Sequence, residues 1–101
     1  MDSYWAVIAR DRPGADAKRL AVRDAHFAYI ATIHERIAVA GPLRTKDGGF
    51  AGSLLIYHAE GEAEARALLE ADPYFVADIW ESVIVEPLTA AVGTWVGGKR
   101  S

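Results

Sequence analysis

Cysteine is absent from the chain, which excludes a disulfide framework, a thiolate nucleophile and any cysteine-ligated zinc or iron–sulfur centre. No apolar run approaches the roughly 20 residues that a membrane-spanning helix requires, so no membrane partner is expected. The opening MDSYWAVIARDRPG sets an acidic residue ahead of a short apolar run. It offers neither the basic leader segment nor the small-residue cleavage site of a signal peptide, and the expected location is the cytoplasm. Basic residues are scattered among a larger number of acidic ones, for a net charge of −3. They form no stripe interleaved with aromatics, so nucleic acid is not an expected partner. The sequence contains no His-x-His and no His-Glu-x-x-His, and His26, His34 and His58 share no metal-ligand spacing. Neither a metal nor a cofactor is expected. The stretch GTWVGGKR, Gly93 to Arg100, begins like a phosphate-binding loop, but Arg100 replaces the required Ser or Thr and only Ser101 follows it. No helix is left there to hold a phosphate.

What is present reads as one folded domain over residues 1–101, with a core at about 4–88 and a C-terminal tail at 89–101. The 51% hydrophobic and 25% charged fractions are those of a globular chain rather than a disordered one. Tyr4 to Arg10 is aromatic and β-branched over a strand's length and ends at the turn signal DRPG. From Asp16 to about Arg36 there is no Pro or Gly, and Val22, His26, Tyr29, Ile30, Ile33 and Ile37 recur at helical spacing. A second strand follows over Ile37 to Leu43, which Gly41-Pro42 must end or push to an edge, because proline cannot donate to a ladder. RTKDGGF is a loop, Gly52 to Ala59 a third strand, Glu60 to Ala71 a second helix with an acidic first turn, and Ile79 to Pro87 a fourth strand. The order β-α-β-β-α-β is the signature of a ferredoxin-like α+β fold, a four-stranded antiparallel sheet with two helices on one face. The first strand carries Tyr4, Ala6 and Ile8 on one side and Trp5, Val7 and Ala9 on the other, so both sheet faces call for burial. Helices cover one. The other is expected to meet a second copy in a face-to-face homodimer, with Trp95 of the tail a candidate to lie across the partner.

Two ionisable residues stand on inward stripes. His26 falls within the apolar face of the first helix, where it is either a core histidine satisfied by neighbours or a working acid–base group. Asp72 lies three and four residues after Leu69 and Leu68, just where Pro73 interrupts the second helix. In ADPYF it is a natural N-cap, with Pro tolerated at the first helical position. The helices that follow two antiparallel central strands are themselves antiparallel, so the early half of the first helix lies beside the end of the second. His26 and Asp72 are then within reach of each other, and an imidazole oriented by a carboxylate is a general acid–base unit. Around them, Ser53 is either a strand start or a ligand-binding hydroxyl. Arg10 is either a solvated strand end or a bidentate partner for a substrate carboxylate. Tyr74 either lines a pocket or only packs its ring.

The segments AVIARDRPGA, AHFAYI with His26, AGPL at Ala40 to Leu43, GSLLIYHAE, ADPYF and ESVIVEPL together resemble the YCII-related domain family over residues 4–88. The resemblance implies a dimeric ferredoxin-like α+β barrel, in a family of mostly unassigned function with a proposed His–Asp active site. A few relatives are lactone-processing dehalogenases similar to muconolactone isomerases. It places the family histidine at His26, the aspartate at Asp72 and the Gly-Pro pair at Gly41 and Pro42, both as substrate-binding candidates. One departure is visible: the family often carries Gly soon after Asp-Pro-Tyr, where this chain reads Val76-Ala77-Asp78. The expectation is a small cofactor-independent enzyme, isomerase, lyase or dehalogenase in type, using His26 and Asp72 on a small anionic or lactone-like metabolite. The alternative is a non-catalytic dimeric domain that binds a small ligand or serves as an accessory module.

Overall fold

A computed structural model describes residues 3–95. Its elements run β1 (Tyr4–Asp11), α1 (Asp16–Thr32), a 3-10 turn (His34–Arg36), β2 (Ile37–Arg44), β3 (Phe50–His58), α2 (Glu62–Glu70), α3 (Pro73–Val76) and β4 (Trp80–Leu88). The strands form one sheet in the order β2-β3-β1-β4, antiparallel at every pairing. This is the ferredoxin-like α+β arrangement that the sequence predicts.

Alternation along the strands builds two faces. On the helix-covered face Val7 and Ala9 of β1 lie in register with Leu55 and Ser53 of β3 and with Val85 and Val83 of β4. Val7, Leu55 and Tyr57 join Ala65 and Leu69 of α2 and Tyr74, Ile79 and Trp80 to form the core. Burying an aliphatic side chain of this size stabilises the fold by roughly 1.5–3 kcal/mol. The opposite face carries the rows Ile84-Ile8-Leu54-Gly41 and Glu86-Ala6-Ile56-Val39, and no helix among the described residues covers it. Trp95 sits on that side against Tyr4, ring centroids 6.0 Å apart, and Tyr4 in turn lies 4.7 Å from the His58 ring.

Local departures from the sequence reading have local causes. α1 stops at Thr32 rather than near Arg36. Ile33 leaves helical geometry (φ −113, ψ 20), its N–H shared between the Ile30 and Tyr29 carbonyls, and a 3-10 turn feeds the chain straight into β2. The Gly41-Pro42 pair does not end β2 but sits inside it. β2 is an edge strand bonded only to β3, so the N–H that proline lacks is one that an outer edge does not require. α2 begins at Glu62, two residues later than expected, because Gly61 is extended (φ −169).

Candidate active site

α2 ends at Glu70, and after Ala71 the chain turns extended at Asp72 (φ −68, ψ 129) before Pro73 opens α3. The Asp72 Oδ1 atom accepts the Tyr74 backbone N–H at 2.9 Å, the bond of an N-cap. The same oxygen lies 2.8 Å from Nδ1 of His26, which α1 presents from the facing stripe. Asp72 is therefore helix cap and histidine partner at once. Its side chain is 0% exposed and that of His26 13%. An ionised carboxylate is an acceptor only, so toward one Nδ1 is the donor, and in a neutral imidazole the lone pair then falls on Nε2. Among the described residues no hydrogen bond occupies Nε2.

The Tyr74 ring stacks on the His26 imidazole at 3.9 Å and 8°, which fixes the plane of the imidazole as the carboxylate fixes its tautomer. Behind the pair the chain leaves polar atoms unmatched. Asp72 Oδ2 and the Tyr57 hydroxyl are buried with no hydrogen-bond partner among the described residues. Burial pushes the Tyr57 phenol far above its usual value, and the charges of Asp72 and Tyr29 push it further. Tyr29, whose hydroxyl donates to the Leu68 carbonyl at 2.6 Å, is raised by burial and then by Asp72. Tyr74 is raised by burial, with the Arg19 guanidinium pulling the other way.

Arg19 stands on the other face of the Tyr74 ring, its guanidinium carbon 4.7 Å from the Tyr74 centroid and 4.8 Å from that of Phe50. It is 5% exposed. Nε donates to Asp11 Oδ2 at 3.0 Å, and Nη2 donates to the Gly52 carbonyl at 2.8 Å and the Ser53 hydroxyl at 2.7 Å. β3 can bring that carbonyl in because residue 52 is glycine: a Cβ there would lie 2.0 Å from the Ala9 carbonyl oxygen. Arg19 is not among the candidate site residues that the sequence suggests, although a signal is present. Continuing the α1 stripe one turn back from Val22 lands on it.

The structure thus brings His26, Asp72, Tyr74 and, through Arg19, Ser53 into one region. Arg10 does not join them; its register with Gly52 and Ser82 puts it on the uncovered sheet face, where it is exposed. Gly41 and Pro42 are exposed on edge strand β2, Pro42 directly opposite Ser53. Among the described residues no three His, Asp or Glu side chains gather as a metal-ion site. Most of the GTWVGGKR stretch lies outside the described residues. In the segment Val76-Ala77-Asp78, Asp78 holds a left-handed backbone (φ 58). Arg12 binds its carbonyl at 3.1 Å and its carboxylate at 3.0 Å.

Comparison with known proteins adds four findings. A family model described as the YCII-related domain matches residues 3–89. Protein YciI of Escherichia coli O6:H1 is 36% identical over 91 residues, covering 82% of this chain and 93% of its own length. Among solved structures, 5-chloro-2-hydroxyhydroquinone dehydrochlorinase (TftG) from Burkholderia phenoliruptrix, in complex with 2,5-dihydroxybenzoquinone, superposes with a TM-score of 0.80 at 31% identity, covering 87% of this chain and 95% of that one. SnoaB, a cofactor-independent oxygenase from Streptomyces nogalater, shares the fold at a TM-score of 0.58 and 18% identity, over 92% and 97% of the two chains.

Proposed function

This chain belongs to the YCII-related domain family, and from that premise we propose that it is a small cofactor-independent enzyme in which His26 moves a proton and Asp72 orients it. The observation that carries the reading is the 2.8 Å contact from Nδ1 to a fully buried carboxylate, itself fixed by the Tyr74 N–H. With Nδ1 committed, Nε2 is the base. It accepts a proton from a carbon beside a carbonyl or from a ring hydroxyl, and the bonding pair moves into the conjugated system. The pair then either recaptures a proton elsewhere, which is an isomerisation, or expels a leaving group with its electrons, which is an elimination. Asp72 stabilises the imidazolium formed in between. A substrate that is small, planar, anionic and oxygen-rich suits this chemistry. The similar Burkholderia protein is a dehydrochlorinase solved with a dihydroxyquinone, which supports the elimination variant.

The test is release of chloride from 5-chloro-2-hydroxyhydroquinone by the wild type and by His26→Asn. Loss of a positioned general base is expected to lower turnover by about 10²-fold or more, with circular dichroism unchanged. Wild-type protein that binds such compounds and releases no chloride would favour the second reading, a ligand-binding or accessory domain. The specific support for that reading is that Asp72 already has a purely structural duty as the cap of α3.

The working unit in this proposal is a homodimer joined through the uncovered sheet face. Ile8, Leu54 and Ile84 form an apolar row there, and Ile84 is 50% exposed. Light scattering behind size exclusion is expected to give twice the chain mass for the wild type. Ile84→Lys is expected to shift it toward a single chain.

A further inference from the structure

Two more buried polar atoms lack partners among the described residues, Asp11 Oδ1 and Trp80 Nε1. They belong to residues directly opposite each other in the β1–β4 register. Both converge on the Tyr74 ring: Trp80 meets it edge-on at 6.0 Å, and Asp11 is bonded to Arg19, whose guanidinium lies over it. Ser53 belongs to the same group, because its oxygen accepts from Arg19 and its own hydrogen has no acceptor among the described residues. The inventory is specific. Two neutral donors, the Ser53 O–H on Arg19 and the Trp80 N–H of the residue opposite Asp11, are grouped around the Tyr74 ring with the Arg19 cation and one acceptor, Asp11 Oδ1, and none of the three neutral or acceptor functions is satisfied among the described residues. Buried groups of this kind cost free energy unless something enters to meet them.

A lone carboxylate ligand fits this inventory poorly, since it would face Asp11 Oδ1 with nothing to donate. An apolar group would satisfy nothing. A carbonyl or oxyanion with a hydroxyl on the neighbouring carbon satisfies all of it: the first oxygen accepts from Ser53 and Trp80 under the Arg19 charge, and the hydroxyl donates to Asp11. We propose that Arg19, Asp11, Ser53 and Trp80 form a second subsite, across the Tyr74 ring from His26, that binds the vicinal hydroxy-carbonyl unit of the substrate. The assignment rests on the acid–base reading for what is done to the bound molecule, and on its own residues for the binding. It makes Arg19 and Asp11 binding residues as well as an internal ion pair, and it sets substrate choice by oxygen pattern rather than by net charge.

The experiment follows the three tryptophan indole N–H signals in 15N-labelled protein, with the Trp80 signal assigned by Trp80→Phe, during titration with hydroxyacetone, a neutral molecule with a hydroxyl beside a carbonyl. A saturable shift of the Trp80 signal is expected. Methylating the hydroxyl of the probe, in methoxyacetone, is expected to abolish it. Ser53→Ala is expected to weaken binding about fivefold through one lost hydrogen bond, and Arg19→Lys about tenfold or more through loss of the planar fork. Where Arg19→Lys fails to fold, Ser53→Ala decides. No saturable shift at Trp80, or equal binding of the methyl ether, overturns the subsite and leaves these polar atoms to ordered water. His26→Asn separates the two readings: retained binding with lost turnover supports both, whereas unchanged turnover with the Trp80 shift intact removes the acid–base reading and leaves the subsite standing.

Discussion

Asp72 uses a single oxygen twice, toward the Tyr74 N–H and toward His26, while its other oxygen is buried without a partner among the described residues. The first use survives replacement by asparagine, which caps helices as well as aspartate does, and the second does not survive as a bond to a carboxylate. Asp72→Asn is therefore expected to change stability by less than about 1 kcal/mol while lowering turnover steeply, and Asp72→Ala to cost about 1 kcal/mol more through the lost cap. Urea unfolding beside a turnover assay reads both, and equal stability losses in the two variants would remove the cap from the account. Gly52 is constrained from another direction. Any side chain there strikes the Ala9 carbonyl oxygen, a backbone atom that cannot swing aside, and yielding would pull the Gly52 carbonyl off Arg19. Gly52→Ala is expected to lose roughly 2–4 kcal/mol, measured as a drop in the urea midpoint. It should also lose hydroxyacetone binding in the folded fraction.

Elements differ in how openly the sequence announces them. β1, β3 and β4 were legible from apolar and β-branched runs bounded by turn residues, and the order of elements then fixed the fold. The His26–Asp72 contact was legible because both residues sit on inward stripes and the topology makes the two helices antiparallel. Arg19 was not, since an arginine on an apolar stripe reads as a solvated edge until the acceptors from β1 and β3 are seen around it; those come from residues 8, 33 and 34 positions away. The uncovered side of the sheet explains Arg10 in the same way. A strand end gives no sign of which face its side chain takes until the register is known. α3 shows a third kind of illegibility. Its exit needs a left-handed residue, which glycine adopts freely, and here Asp78 takes φ 58 while Arg12 grips its carbonyl and carboxylate. Aspartate tolerates that conformation better than most residues, and glycine better still. Asp78→Gly is expected to stay within about 0.5 kcal/mol of the parent, because the relieved backbone offsets an exposed ion pair worth little. Asp78→Ala, which loses the pair and keeps the strain, is expected to cost about 1 kcal/mol. Thermal melts of the two variants decide between this balance and a purely electrostatic role for Asp78.

At the scale of the whole molecule, Tyr29, Tyr57 and Tyr74 enclose the buried Asp72 carboxylate between the helices and the sheet, and all three phenols are raised above their ordinary value of 10.0. Burial is the first cause in each, and the Asp72 charge raises all three further. The linkage has a definite sign. Below pH 10 both folded and unfolded chains keep these protons, so the phenols add no pH dependence. Above it the unfolded chain releases protons that the folded chain retains, and stability falls as pH rises. Each phenol held back removes about 1.4 kcal/mol per pH unit until its folded value is reached. Unfolding free energy measured in urea is therefore expected to decline with increasing slope from about pH 10 upward. Tyr57→Phe isolates one contributor. It deletes a buried hydroxyl that has no partner among the described residues, so it is expected to leave stability at pH 7 equal or slightly higher. Above pH 10 it should flatten the decline by about one proton's worth. A variant that is clearly weaker at pH 7 would show that the Tyr57 hydroxyl is satisfied in solution, with a water shared with Asp72 Oδ2 the first place to look. An unchanged alkaline slope would show that Tyr57 ionises as readily in the folded chain as in the unfolded one, and that the space behind the His26–Asp72 pair is wet.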